Sequence, residues 1–93
     1  MQTPLSFEWD DAKDAANTAK HGVSFIEAAA VFADDDRTDF DASRAGDGER
    51  RRKVVGQIDG RLFVVVYTFR RETIRIISAR RANVQETRRH GEG

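Results

Sequence analysis

Lys53-Val54-Val55-Gly56-Gln57-Ile58-Asp59-Gly60-Arg61-Leu62-Phe63-Val64-Val65-Val66-Tyr67-Thr68-Phe69 is the stretch whose reading decides the fold. Its hydrophobic residues recur with the period of strands, and Asp59-Gly60 is a dipeptide that tolerates the two positive φ angles of a type I′ turn. Strands are therefore expected over 54–58 and 62–69, paired so that Ile58 faces Arg61, Val54 faces Val65 and Arg51 faces Thr68. The six apolar residues Leu62-Phe63-Val64-Val65-Val66-Tyr67 in succession imply a central strand covered on both faces. A third strand over 74–79 returns after Arg70-Arg71-Glu72-Thr73. If those four residues form the loop, Thr68 opposes Arg75, and Arg51, Thr68 and Arg75 form one row; a slip of one residue would turn Arg75 to the opposite face.

Upstream of this sheet the period changes. Phe7 and Trp9 alternate around Glu8 as in a strand, and Asp10 caps a helix expected over 11–20 and ended by Gly22. Ala12, Ala15, Ala16 and Ala19 form its expected apolar stripe, with Asp10, Lys13, Asn17 and Lys20 on another face. Ser24 and Glu27 have the spacing of a capping box, opening a second helix with Phe25, Ala28, Ala29 and Phe32 inward. Downstream, Asn83 and Glu86 repeat that spacing before a last helix ending in Arg88, Arg89 and His90, where cations suit the helix dipole. Two helices, an antiparallel sheet of three or four strands and a C-terminal helix make an α+β domain.

A chain of 93 residues, 39% hydrophobic and 34% charged, is expected to form one domain spanning residues 1–93. It has no cysteine, which excludes a disulfide framework, a thiolate zinc site and a cysteine nucleophile. The start, Met1-Gln2-Thr3-Pro4-Leu5, lacks signal-peptide order and no run is long enough to span a membrane, so a cytoplasmic protein with no membrane partner is expected. The net charge of zero conceals a division: residues 1–49 carry 4 basic and 12 acidic side chains, residues 50–93 carry 12 basic and 4 acidic ones, and 11 of those 12 are arginine. Such asymmetry suits a polyanion, and guanidinium groups bind phosphate in bidentate fashion. The acidic run Asp34-Asp35-Asp36, Asp39, Asp41 fails as a calcium loop, since Asp39 stands where glycine is required and Ala45 where a bidentate glutamate is required. It reads as a solvated loop, and no metal ligand set emerges.

Several blocks occur in a set order: Phe7-Glu8-Trp9-Asp10, Lys13, Asn17, Lys20-His21-Gly22-Val23-Ser24-Phe25, Ala28, Phe32, Glu49 with Arg51, Gly56, and Arg75-Ile76-Ile77-Ser78-Ala79-Arg80 with Ala82 and Glu86. Together, over residues 7–90, they resemble the BrnT family of bacterial toxins. The resemblance implies a RelE-like endoribonuclease toxin that needs no metal or cofactor, cleaves RNA, with mRNA the expected target, and so arrests translation and growth. It further implies a BrnA-like antitoxin with a DNA-binding ribbon-helix-helix region, through which alone operator DNA would be reached. Two positions depart from the family pattern: Arg52 where an aromatic residue is often found, and His90 where tyrosine commonly stands.

RNA cleavage without metal requires a base for the 2′-OH, cations for the charge of the transition state and an acid for the leaving oxygen. His21, Glu49, Arg51, Arg75, Arg80 and His90 are the catalytic candidates; Lys20, Arg50, Arg71 and Arg81 are candidates for substrate binding. Each has a plainer alternative. The arginines can pair with the acidic first half, and the resemblance favours phosphate instead. Arg80, where a strand meets the last helix, can reach substrate. His21 can satisfy the carbonyls that end the first helix, and Lys20 can belong to a solvated face. Glu49 precedes three cations that weaken it as a base, so orienting an arginine is its expected task. His90 can stack on a base, donate a proton or lie in a frayed terminus beside Gly91 and Gly93. General base remains open among His21, His90 and Glu49. Two readings without catalysis stand beside the enzyme: a silent module that holds RNA or antitoxin, and an interaction protein whose charge asymmetry serves oligomerisation.

Overall fold

Strands β3 (Arg52–Ile58) and β4 (Arg61–Arg70) pair in the expected register, Ile58 with Arg61 and Val54 with Val65. Asp59 and Gly60 between them take φ of 52° and 80°, the two positive values a type I′ turn needs. The computed structural model describes residues 6–46 and 48–91. The readings made on Met1–Leu5, on Asp47 and on Gly93 lie outside them.

The sheet has five strands, not three or four, and it is mixed. Its order is β1-β5-β4-β3-β2, with β1 (Ser6–Glu8) parallel to β5 (Thr73–Arg81) and the other pairs antiparallel. β2 (Thr38–Asp41) arises from the acidic run expected to be a solvated loop. Its carboxylates have structural partners. Asp34 accepts from the backbone N–H of Gln57 at 2.8 Å and of Asp36 at 3.0 Å, contacts that lower its pKa. Asp41 accepts from Ser43 N–H at 2.9 Å. Gly56 permits the close crossing: a Cβ there would lie 2.9 Å from Val31 Cγ1 and 3.2 Å from both Asp34 Oδ2 and the Val31 carbonyl oxygen.

Between β4 and β5 the turn is only Arg71-Glu72, with Arg71 at φ 59°. Thr68 nevertheless opposes Arg75 as expected, because extending both strands by one pair leaves the register unchanged. The β3–β4 ladder ends at Arg52 and Tyr67, so Arg51, which this register sets opposite Thr68, stands one residue beyond the last paired position. Its backbone is held instead by Ala42 and Ser43.

Helix α1 (Asp11–His21) is capped by Asp10, which accepts from Lys13 N–H, and stops at Gly22. The face it buries is not the expected one. Ala12, Ala15, Ala16 and Ala19 are exposed, and Asn17 is buried. Hydrogen bonds outweigh the thin alanine stripe here. Asn17 donates to the carbonyls of Ala79 at 2.9 Å and Val23 at 3.0 Å and accepts from Ala79 N–H at 3.1 Å. It thus pairs with the edge of β5 beyond the end of β1, as another strand would. Asp14, on the same side, accepts from Phe25 N–H at 2.8 Å.

The capping box of Ser24 and Glu27 is present, but α2 is the single turn Phe25–Ala28, continued by a 3₁₀ segment, Ala29–Ala33. These elements cover the inner face of the sheet, where Phe25, Val31, Val54, Val65, Ile74 and Ile76 are fully buried. The second covering of the central strand is the last helix, α3 (Val84–Gly91), which crosses the outer face. Asn83 and Glu86 cap it reciprocally, at 2.8 and 2.9 Å.

Replacing Asn17 by alanine strands three buried backbone groups, and urea unfolding is expected to show a loss of about 3 kcal/mol. Ala19→Ser, on the exposed side of the same helix, is expected to stay within about 0.5 kcal/mol of the parent.

Candidate functional site

Alternation along β5 would put Arg75 and Arg80, five positions apart, on opposite faces. They share one. The ladder to β4 shifts between Val66 and Tyr67, which face Ser78 and Ile76, so Ile77 is an extra residue. This bulge resets the alternation: Ile74, Ile76 and Ala79 enter the core, and Arg75 and Arg80 both emerge on the outer face. At about 3.3 Å per residue they stand roughly 15 Å apart along the strand.

Glu8 lies 3.7 Å from Arg75, and beside them Glu49 and Arg70 pair with each other at 3.1 Å. Hydrogen bonds from Arg70 lower the pKa of Glu49, and the charges of Arg75 and Arg51 act in the same sense. Glu49, whose expected task is to orient an arginine, pairs with Arg70 on β4. Thr68, buried between Arg75 and β3, donates to the Arg50 carbonyl at 2.7 Å. Arg50 and Arg71 have exposed side chains at this end of the sheet.

At the other end of the outer face, Arg80 grips Glu86 of α3 through Nη1 and Nη2 at 2.7 and 2.8 Å. These bonds hold the Glu86 carboxyl down at about pKa 2. Lys53 is 3.9 Å from the same carboxylate. One helical turn on, His90 Nδ1 lies 3.3 Å from Thr38 Oγ1. Between α3 and β2 opens a cavity of about 440 Å³, lined by Phe40, Lys53, Val55, Glu86, Arg89 and His90 among others. Half-buried, His90 is docked on the body and not frayed. The acidic partner of Arg80 comes from the C-terminal helix and not from the acidic first half.

His21 is not brought to these groups. It ends α1 on the inner side, at a second cavity of about 540 Å³ with Arg61, Phe63 and Arg81. Arg81 lies over the Phe63 ring at 5.9 Å, and Lys20 is exposed on α1. The candidates therefore divide between two faces: Arg75, Arg80 and His90 on the outer one, joined at its edge by Glu49, and His21 and Arg81 on the inner one.

Sequence reasoning missed three participants. Glu86 was read only as a cap, and its reach back to Arg80 has no periodic signature. Lys53 carries no assigned role in the sequence, and Asp39 counts there only as part of the acidic run. Asp39 accepts from Arg52 Nε at 2.6 Å and from the Tyr67 hydroxyl, which gives Arg52, the departure from the family pattern, a structural partner. Tyr67 is enclosed by Phe32 and Phe69, with ring centroids 5.0 and 5.5 Å away.

A family model described as the ribonuclease toxin BrnT of type II toxin-antitoxin systems matches residues 9–86. No curated protein matches the chain.

Burial, and then the bond to Asp39, pushes the Tyr67 phenol up to about pKa 12. A group whose pKa rises on folding adds stability that is complete below its unfolded value, about 10, and is lost as pH rises towards the folded one. Tyr67 is the chain's single tyrosine, so ultraviolet titration reads it alone. Tyrosinate is expected to appear only above about pH 11, with stability falling between pH 10 and 12; ordinary ionisation near pH 10 in the folded protein would contradict the buried pairing.

Proposed function

Because the chain belongs to the BrnT family, the ribonuclease toxins of type II toxin-antitoxin systems, we propose that its outer sheet face cuts RNA by transferring the phosphodiester to the neighbouring 2′-OH, without metal. The observation that carries this reading is the shared face of Arg75 and Arg80, with His90 and Glu49 bordering it. A single strand laid along β5 would meet guanidinium groups at both ends of a track roughly 15 Å long.

In this reading Arg80 neutralises the charge that grows on the non-bridging oxygens as the 2′-oxygen attacks, and Arg75 and Arg51, towards the other end of the track, grip a neighbouring phosphate of the same strand. His90 serves as the proton-transferring group, because its imidazole has one ring nitrogen that can accept a proton and another that can donate one. Glu49 orients the arginines; paired with Arg70, it is a poor base. Arg50 and Arg71 hold the flanking backbone. His21, Lys20 and Arg81 then lie outside the reacting centre and at most steer RNA. The 2′-OH gives its proton to His90 as the bond from phosphorus to the 2′-oxygen forms; the bond to the 5′-oxygen breaks and that oxygen takes the proton back from His90, leaving a 2′,3′-cyclic phosphate and a 5′-hydroxyl.

The whole chain, 1–93, acts as one toxin domain in the cytoplasm. It takes mRNA as its target and so arrests translation. Its partner is a BrnA-like antitoxin that carries the ribbon-helix-helix region and alone contacts operator DNA.

A defined RNA incubated with protein in EDTA tests the chemistry. The parent is expected to cut and leave cyclic phosphate ends, and Arg75→Ala and Arg80→Ala are expected to lose about 10²- to 10³-fold in kcat/KM. Cutting by the parent only when a divalent metal is restored would overturn the metal-free mechanism. RNA bound but never cut would reduce the face to a binding surface.

A further inference from the structure

A guanidinium carries five N–H donors, and at Arg80 three of them are spoken for. Nη1 donates to Glu86 Oε1 at 2.7 Å and to the Arg81 carbonyl at 3.2 Å, and Nη2 donates to Glu86 Oε2 at 2.8 Å. The two that remain, Nε–H and the second proton of Nη2, are neighbours on one edge. That edge has the parallel spacing that matches two oxygens of a phosphate.

Glu86 is itself held. Its Oε1 accepts from Asn83 N–H at 2.9 Å, its own N–H donates to Asn83 Oδ1 at 2.8 Å, and Lys53 stands 3.9 Å from Oε2. The carboxylate is thus fixed by the helix cap before it meets Arg80. α3 contributes no buried residue to the core, so packing does not account for this clamp.

We propose that Glu86 is a positioning residue for Arg80: it takes the outer fork of the guanidinium and leaves the Nε–Nη2 edge presented, as a preset pair of donors, to one phosphate group of the RNA. This rests on the reading of Arg80 as a phosphate contact. The cap and the clamp are one device, in which the spacing that starts α3 also orients the arginine six residues upstream. A competing role, in which Glu86 occupies the place of the phosphate and restrains activity, makes the opposite prediction.

Glu86→Gln separates the two, because glutamine still serves in a capping box but loses the charge and one acceptor. Positioning predicts that kcat on a defined RNA falls roughly 10- to 100-fold with KM changed far less and the thermal midpoint nearly unchanged. In ¹⁵N spectra the Arg80 Nε–Hε resonance should be sharp in the parent and broadened in the variant. Arg80→Lys should cost about as much alone as together with Glu86→Gln, since lysine offers no edge to orient. Glu86→Asp, which keeps the charge and withdraws it by one methylene, should also lose activity.

Equal or higher activity of Glu86→Gln, or additive losses in the double variant, would overturn the proposal while leaving the reading of the outer face intact. Full activity of Arg80→Ala would overturn that reading instead.

Discussion

The carboxamide of Asn17 joins helix α1 to strand β5 through the backbone of Ala79, giving one hydrogen bond and accepting another. Ala79 is the first core residue after the bulge at Ile77, and Arg80 follows it directly. The polar pairing therefore ties down the point at which the strand has been turned over. If the strand slipped back by one residue there, Arg80 would enter the core and an apolar residue would leave it. Burying an unpaired guanidinium costs several kcal/mol, so the bulge and its clamp stand or fall together. The orientation of the most deeply implicated arginine thus depends on a residue on the far side of the sheet.

That arrangement also separates two electrostatic environments. On the inner face and along β2, carboxylates serve the backbone and the core: Asp14 holds Phe25, Asp34 holds Gln57 and Asp39 holds Tyr67 and Arg52. On the outer face three arginines pair with carboxylates from different elements: Arg75 with Glu8 from β1, Arg70 with Glu49 from the loop before β3 and Arg80 with Glu86 from α3. A guanidinium already paired with a carboxylate has less side-chain freedom to lose on meeting an anion than an unpaired one. The division between an acidic first half and a basic second half comes down to acids that build the frame and bases that line a face.

Much of the frame was legible in the sequence. The Asp59-Gly60 turn, the register of β3 on β4 and the three helix caps follow from local chemistry, where a few adjacent residues decide the outcome. β2 was not legible, because a strand rich in aspartate has low propensity and forms only where β3 offers an edge and Tyr67 and Arg52 offer partners. The buried face of α1 was misread for a related reason: alanines signal little burial, and Asn17 gains its place from a strand 62 residues away. Residue types at the candidate site could be named in advance, but their grouping could not. Counting along an unbulged strand separates Arg75 from Arg80, and nothing local marks Ile77 as the extra residue. Proximity in sequence did not link His21 with His90 or exclude the link, and only the two faces of the sheet divide them.

On the proposed function, RNA lies on the outer face, along β5 from Arg75 to Arg80. Titrating ¹⁵N-labelled protein with a short 2′-O-methylated RNA, which binds but offers no 2′-OH for attack, tests it most directly. Amide shift changes are expected to concentrate at Thr68, Arg75, Ser78, Arg80 and His90, with His21, Arg61 and the exposed side of α1 quiet. Changes confined to the cavity of His21, Phe63 and Arg81, with the outer face unaltered, would contradict it.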